Sequence, residues 1–316
     1  MSAETETPPS AETVAIVLNW NGAADTLRCI SALQASRPAP PRIVVVDNGS
    51  VDDSKARILA EYPDLTLLES GANLGYSGGN NLGIRWALER DAERIVLLNN
   101  DVEVEPDCVA RLEQALQRDG QAGVSGPIIL TRGTPNRIWA AGGELTHREN
   151  VSRLRGFGQV MNGLYSKDEF VDYLPGCVLM VRRDVFEKVG LLEESYFCYM
   201  EDVDFGQRVH AAGFKNRLVA SATAFHKPSS STGGGYNAAR KYMNAVNSVH
   251  FLRRHGSFRA WAGFALFDVL GLPFALVIAT LHGCPGAAVA KCRGLIDGLR
   301  GVQITADRVK KYLRGS

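Results

Sequence analysis

Residues 94–101 read RIVLLNND. Four apolar side chains in succession give way to Asn99, Asn100 and Asp101. A short apolar run without alternation reads as a strand buried on both faces. Two earlier stretches repeat the pattern. TVAIVLNW (13–20) is followed by Asn21-Gly22, and RIVVVDNGS (42–50) ends in a turn. LTLLES (65–70) adds a further strand. Between these runs lie helical stretches. ADTLRCISALQA (24–35) places Leu27, Ile30 and Leu33 at helical spacing, and DDSKARILAEY (52–62) has acids in its first turn. PDCVARLEQALQR (106–118) opens on Pro106, as helices often do.

Strands alternating with helices predict an α/β fold, a mostly parallel sheet with both faces covered. Ligands of such sheets bind outside the carboxyl ends of the strands. Those ends carry Asn19–Asn21, Asp47–Asn48 and Asn99–Asp101, so polar and acidic groups converge on one edge. From 123 to 175 the pattern loosens into Gly- and Arg-rich sequence, which predicts short antiparallel strands and loops suited to a second substrate.

The net charge of the 316 residues is +1, which gives no general attraction to nucleic acid. The distribution is uneven. Residues 251–316 hold ten Lys/Arg against three Asp/Glu, a balance that suits an anionic surface such as lipid headgroups. Six scattered cysteines without CxxC spacing fit neither a disulfide framework nor a zinc site. The start, MSAETETPPSAET, is polar and acidic. It reads as a disordered tail rather than a signal or transit peptide.

Four motifs hold chemistry. NLGYSGGNNLG (73–83) reads as a Gly/Asn loop opening the helix IRWALERD (84–91). Its glycines are spaced wrongly for a dinucleotide fingerprint. They either admit a phosphate or ribose close to backbone N–H groups or form a plain tight turn. Asp101, at a strand end, suits Mg²⁺ or Mn²⁺ beside a diphosphate, or is a solvated turn residue. In YMEDVDF (199–205), a helix start with Asp202 as cap and Asp204 against the macrodipole accounts for two acids. Glu201 and the aromatic residues Tyr196, Phe197 and Tyr199 remain. A carboxyl beside apolar rings has its pKa pushed up, as a general base requires. His226 ends an apolar strand before KPSSSTGGG (227–235), a loop able to close over a ligand; the other reading is a structural histidine.

Seven stretches in order, VAIVLNWNG, VVVDNGS, NLGYSGGNNLG, LLNNDVEVEPD, GCVLMVRRDVFEKVG, YMEDVDFGQRV and AFHKPSSST, resemble glycosyltransferase family 2, inverting enzymes of the GT-A fold. The chain looks most like bacterial rhamnosyltransferase-type members that build cell-surface polysaccharides. The resemblance implies a Rossmann-like sheet with C-terminal helices. With the composition of the two ends, the chain divides into a disordered tail (1–12), a nucleotide-sugar-binding half (13–122), an acceptor-binding and catalytic half (123–255) and membrane-associated helices (256–316), the two halves being what the resemblance implies. It implies that Asp47 and Asn19–Asn21 contact the nucleotide base, and that Asn73, Gly78 and Asn80 lie along the nucleoside, with Asn100 among the donor contacts. Asp101 would bind Mg²⁺ or Mn²⁺ bridging the donor diphosphate, with His226 a further ligand or diphosphate contact. Asp202 would be the catalytic base, and Glu201 would orient substrate. Two departures stand out. The family's metal motif often begins with an acid where this chain has Asn99, which implies weaker metal binding or one ligating carboxylate. Where members often carry Arg-Asn, this chain has Val246-Asn247, leaving Arg240 or Lys241 as candidate phosphate contacts.

AWAGFALFDVLGLPFALVIATL (260–281) is an apolar run long enough to span a bilayer, interrupted by Asp268 and Pro273. Beyond it, Leu295, Leu299, Val302, Ala306, Val309 and Leu313 predict one basic amphipathic helix on an anionic membrane surface. The alternatives are packing against the body or a homo-oligomer interface. The expected partners are a nucleotide-sugar donor, possibly dTDP-rhamnose, and a lipid-linked or glycan acceptor at the inner face of the cell membrane. Two other functions were weighed. A sugar nucleotidyltransferase needs a phosphate signature near the first strand, which LNWNGAADTLR lacks, and a non-catalytic binder would show no turnover.

Overall fold

The computed structural model describes residues 12–134, 136–146, 151–227 and 237–313. Residues 1–11 of the expected tail and the Ser/Gly-rich loop from 228 lie outside them. The first half contains β1 (Thr13–Asn19), α1 (Ala23–Gln34), β2 (Arg42–Asp47), α2 (Ser54–Glu61), β3 (Thr66–Glu69), α3 (Gly75–Leu88), β4 (Arg94–Asn99), β5 (Val102–Val104) and α4 (Cys108–Arg118). Then come β6 (Ala122–Thr131), β7 (Ile138–Ala140), β8 (Gly143–Leu145), β9 (Ser152–Leu154), β10 (Glu169–Val171), β11 (Val178–Arg182), α5 (Arg183–Val189), α6 (Glu201–Ala211) and β12 (Lys215–His226). Helices α7 (Ala238–His255), α8 (Phe258–Phe264), α9 (Leu272–Leu281), α10 (Gly286–Leu299) and α11 (Ala306–Leu313) follow.

One sheet runs β10-β12-β6-β11-β4-β1-β2-β3, with β5 on β12 and β7 on β6. The strands β3, β2, β1 and β4 are parallel, β11 runs antiparallel between β4 and β6, and β12 is parallel to β6. Strand side chains alternate between faces, and both faces are apolar. Ala15, Val17, Val45, Val96 and Leu98 join the core beneath α1 and α4. Val14, Ile16, Val44, Val46, Ile95 and Leu97 join the core beneath α3, α5 and α6. That is why the apolar runs show no alternation.

The register positions the polar ends. Asn19 pairs with Asp47 across β1 and β2, and His226 pairs with Val102, the residue after Asp101.

The Gly/Asn stretch differs from the expected loop. Helix begins at Gly75, so Gly78, Gly79, Asn80 and Gly83 are helical. A Cβ on Gly79 would lie 2.5 Å from Leu18 Cδ1, and one on Gly83 would lie 2.7 Å from Ile16 Cγ2. These glycines let α3 approach β1 closely, a helix–sheet contact that no side chain permits.

The C-terminal region also departs from expectation. The apolar run 260–281 is not one helix. It is α8, a π-helical turn at Ala265–Val269, and α9, bent by 46°. Among the described residues no single helix is long and apolar enough to cross a membrane, although this bent pair passes that test together. Asp268 is buried and pairs with buried Lys291 of α10 at 2.8 Å. The single amphipathic helix expected after 295 is two elements, parted at Gly301, whose φ is +73°. Leu295 and Val309 are buried. Close packing on α7 explains this. A Cβ on Gly294 would lie 2.5 Å from the Tyr242 carbonyl oxygen, and Tyr312 of α11 stacks on Tyr242.

Removing one partner of a buried ion pair strands the other charge. Lys291→Ala should lower unfolding free energy by about 3 kcal/mol in urea titration. The double replacement Asp268→Leu/Lys291→Met should recover most of that loss.

Candidate active site

The carboxyl ends of β1, β2 and β4 are tied by one hydrogen-bond network. Asn19 Nδ2 donates to Asp47 Oδ1 at 2.8 Å and to Ser50 Oγ at 3.1 Å. Thr26 Oγ1 donates to Asn19 Oδ1 at 2.7 Å, and Asn100 Nδ2 donates to Thr26 Oγ1 at 3.1 Å and to the Gly22 carbonyl at 3.3 Å. Asp47 Oδ2 accepts the Ser50 N–H at 3.1 Å. Asn21 is exposed with φ +50°, and its Oδ1 accepts the Val51 N–H at 2.8 Å. Asn19 and Asn100 are therefore braces, turned into the fold; Asn21 faces outward. Thr26 and Ser50 carried no signal in the sequence beyond being polar near a strand end.

The start of α3 is built the same way. Asn48 Nδ2 donates to the Gly75 carbonyl at 2.9 Å, and its Oδ1 accepts the Leu74 N–H at 3.0 Å. Asn73 Oδ1 accepts the Gly75 N–H at 2.9 Å. Asn80 Nδ2 donates to the Tyr76 carbonyl at 2.9 Å, while Asn80 Oδ1 and Ser77 Oγ are buried without a partner. Buried polar atoms are rarely left so. Gly78 is buried one turn into this helix.

Asp101 and His226, far apart in the chain, come together. Asp101 Oδ1 lies 3.4 Å from His226 Nε2, and both residues are buried. Neither Asp101 Oδ1 nor His226 Nδ1 has a hydrogen-bond partner. The backbone around them is fixed: the Lys227 N–H donates to the Asp101 carbonyl at 3.0 Å, and the Arg132 N–H donates to the His226 carbonyl at 2.9 Å. Trp139 packs on the imidazole with ring centroids 4.4 Å apart. A carboxylate oxygen and an imidazole, both short of partners, fit a divalent cation that takes its other ligands from diphosphate and water. Among the described residues no group of three His, Cys, Asp or Glu could hold a metal alone.

Glu201 and Asp202 open α6. The cap position is Met200, not Asp202; Met200 is left-handed at φ +72°. Asp202 lies in the first turn, where its Oδ2 accepts the Gly176 N–H at 3.0 Å and its Oδ1 the Val203 N–H at 2.8 Å. Burial, then the charge of Asp202, pushes the Glu201 carboxyl well above its ordinary range. Glu201 Oε2 is buried with no partner. Burial also raises Asp202, but the Gly176 and Val203 N–H groups oppose it. The pair is therefore split: burial and the Asp202 charge favour the proton on Glu201, while the two N–H groups favour the ionised form of Asp202. The aromatic run has another job. The Tyr196 hydroxyl lies 3.4 Å from Asp204, and Phe197 and Tyr199 pack against α7. Asp204 is fully buried and bound by Arg208 and His255, each at 2.7 Å.

Cys177, at the entry to β11, lies within electrostatic reach of both centres. Burial first, then Asp101 and Asp202, holds its thiol well above the ordinary value. Asp101 and Asp202 thus both act on one buried residue. A recess of about 470 Å³ lined by Arg85, Glu193, Glu194, Arg208 and Arg254 includes none of these groups.

Residues 14–190 match the family model of Glycosyl transferase family 2. The chain belongs to this family. It is a glycosyltransferase, and its sheet is that of the GT-A enzymes. The chain is 30% identical over 230 residues to N-acetylglucosaminyl-diphospho-decaprenol L-rhamnosyltransferase of Mycobacterium tuberculosis, covering 65% of this chain and 73% of the relative. Its fold resembles GalNAc-T7 solved with UDP, GalNAc and Mn²⁺ (TM-score 0.66, 14% identity, 82% of this chain and 51% of that one). This glycosyltransferase therefore spans about half of that structure. It also resembles a mannosyltransferase from Pyrobaculum calidifontis solved with GDP-Man and Mn²⁺ (TM-score 0.56, 17% identity, 95% and 78%).

The raised Glu201 pKa has a stability consequence. At low pH the group is protonated in both states. As pH rises, the unfolded chain ionises first, so stability falls until pH passes the folded value. Glu201→Gln should raise the urea midpoint at pH 7 and flatten its fall as pH rises above the ordinary carboxyl range.

Proposed function

We propose that this glycosyltransferase is an inverting, metal-dependent enzyme that moves a sugar, with rhamnose from dTDP-rhamnose the first candidate, onto a lipid-linked or glycan acceptor in cell-surface glycan synthesis. The observation that carries the metal-dependent reading is the unsatisfied Asp101–His226 pair at the carboxyl end of the sheet. The similarity to a rhamnosyltransferase named for a diphospho-decaprenol acceptor supports the choice of substrates.

In this reading Asp47, Asn19 and Asn21 shape the base pocket, and Asn100 braces its floor. Asn73, Gly78 and Asn80 flank the nucleoside, where the unpartnered Asn80 Oδ1 and Ser77 Oγ await donor hydroxyls. Asp101 and His226 hold Mg²⁺ or Mn²⁺. The cation, when bound, neutralises charge on the leaving nucleoside diphosphate. Asp202 takes the proton of an acceptor hydroxyl, whose oxygen bonds to the anomeric carbon as the bond to diphosphate breaks. Glu201, protonated, donates a hydrogen bond that orients the acceptor. One displacement without a covalent intermediate inverts the anomeric centre.

The same reading places the enzyme at the cytoplasmic face of the membrane, peripherally bound. Between 260 and 290 the only Lys, Arg, Asp or Glu is Asp268, which is buried. Phe258, Leu270, Phe274 and Leu281 are 88%, 72%, 70% and 81% exposed. So large an apolar surface calls for a covering, and the basic residues beyond 290 suit an anionic leaflet. A homo-oligomer is the competing cover.

Two experiments test these proposals. Nucleotide sugars, dTDP- and UDP-linked first, are screened for hydrolysis and transfer with and without Mn²⁺. Asp202→Asn should lower turnover by about 10³-fold while donor affinity stays within threefold. Failure of every donor to bind or react would sink the reading. In the second, the protein should float with phosphatidylglycerol vesicles and Leu270→Asp/Phe274→Asp should not; equal flotation of both contradicts membrane docking through α8–α9.

A further inference from the structure

Asn247, in the middle of α7, is fully buried. Its two Nδ2 hydrogens are shared among three backbone carbonyls, those of Tyr196 at 2.9 Å, Cys198 at 2.9 Å and Tyr199 at 2.8 Å. Carbonyls only accept, so the amide orientation is set by its surroundings. Its Oδ1 has no partner, so the side chain is committed to this one task. The segment it grips is strained. Phe197, Tyr199 and Met200 have φ of +62°, +71° and +72°. Non-glycine residues in this region persist only where the surroundings over-determine them, and such strain gathers at functional sites. The very next residues are Glu201 and Asp202.

A second set of bonds reaches the same segment from the donor side. The Tyr76 N–H, at the start of α3, donates to the Phe197 carbonyl at 2.5 Å. The Tyr76 hydroxyl donates to the Gly176 carbonyl, and the Gly176 N–H donates to Asp202 Oδ2. A Cβ on Gly75 would lie 2.3 Å from the Phe197 carbonyl oxygen, so α3 and the strained segment leave no slack between them. The carbonyls of one short loop are shared out between α7 and α3, and the loop delivers the base.

We propose that Asn247 is a positioning residue for catalysis: by clamping residues 196–200 it fixes the angle at which α6 presents Asp202 and Glu201 to the acceptor. The inference rests on Asp202 being the base. Asn247 itself touches neither substrate nor reacting atoms. Without its N–H groups the left-handed residues relax, the entry to α6 shifts, and Asp202 loses its alignment with the Gly176 N–H. Misplacement of a catalytic group by about 1 Å costs on the order of 10²-fold in rate.

The test compares Asn247→Leu, which keeps bulk and removes the donors, with Asn247→Ser, which keeps one donor. The control is Ser125→Ala, because buried Ser125 also donates to a carbonyl, that of Leu112 in α4, away from the loop and from α6. Peptide-resolved hydrogen exchange and steady-state kinetics are measured on the full chain. Expected are faster exchange confined to 197–203 in both Asn247 variants, kcat lowered roughly 100-fold in Asn247→Leu and about tenfold in Asn247→Ser, and donor KM within threefold. Ser125→Ala should lose thermal stability and keep kcat within threefold. Unchanged exchange at 197–203, or kcat and donor affinity falling together as in general unfolding, overturns the clamp. The exchange readout needs no turnover. If no donor reacts, the glycosyl-transfer chemistry fails separately, and the clamp is still judged by exchange.

Discussion

Three left-handed residues within four positions stand directly before two adjacent acids, and the site depends on what holds them there. Met200 cannot continue a right-handed helix backwards, so α6 starts abruptly at Glu201. That start leaves Glu201 buried and Asp202 half-buried, with the Gly176 and Val203 N–H groups offered to Asp202. Adjacent carboxyls in a poorly solvated place cannot easily both ionise. The N–H groups decide which one does. A strained loop thus sets two neighbouring carboxyls in different environments, the proposed basis for dividing labour between them.

The rest of the fold serves to bring distant ends to this point. The parallel strands place Asn19, Asp47 and Asp101 on one edge. The antiparallel β11 brings Gly176 and Cys177 beside them, and β12 delivers His226 to Asp101. Helix α7, outside the sheet, supplies the clamp. The C-terminal helices then fasten α7 through the glycines of α10 and the stacked Tyr242 and Tyr312.

Much of this was legible in the sequence, for physical reasons. Buried strands have no alternation, so β1, β2 and β4 announce themselves, and their polar ends mark the binding edge. Other parts were not legible because their cause lies far along the chain. Gly79 and Gly83 look like loop glycines until β1 lies beneath them. Asp202 looks like a cap until Met200 takes that place with a conformation that only tertiary contacts sustain. Residues 260–281 look like one span until the Asp268–Lys291 pair and the π-helical turn fold them over. Asn247, Cys177 and Trp139 act through partners at least 25 residues away, so nothing in their own neighbourhoods marked these roles.

The proposed reaction is a single displacement driven by Asp202 with no covalent sugar on the protein. The anomeric configuration of the first product, read by proton NMR before mutarotation, reports on it. A configuration opposite to that of the donor sugar is expected. Retention of the donor's configuration would contradict it, since retention requires two displacements or attack from the same face.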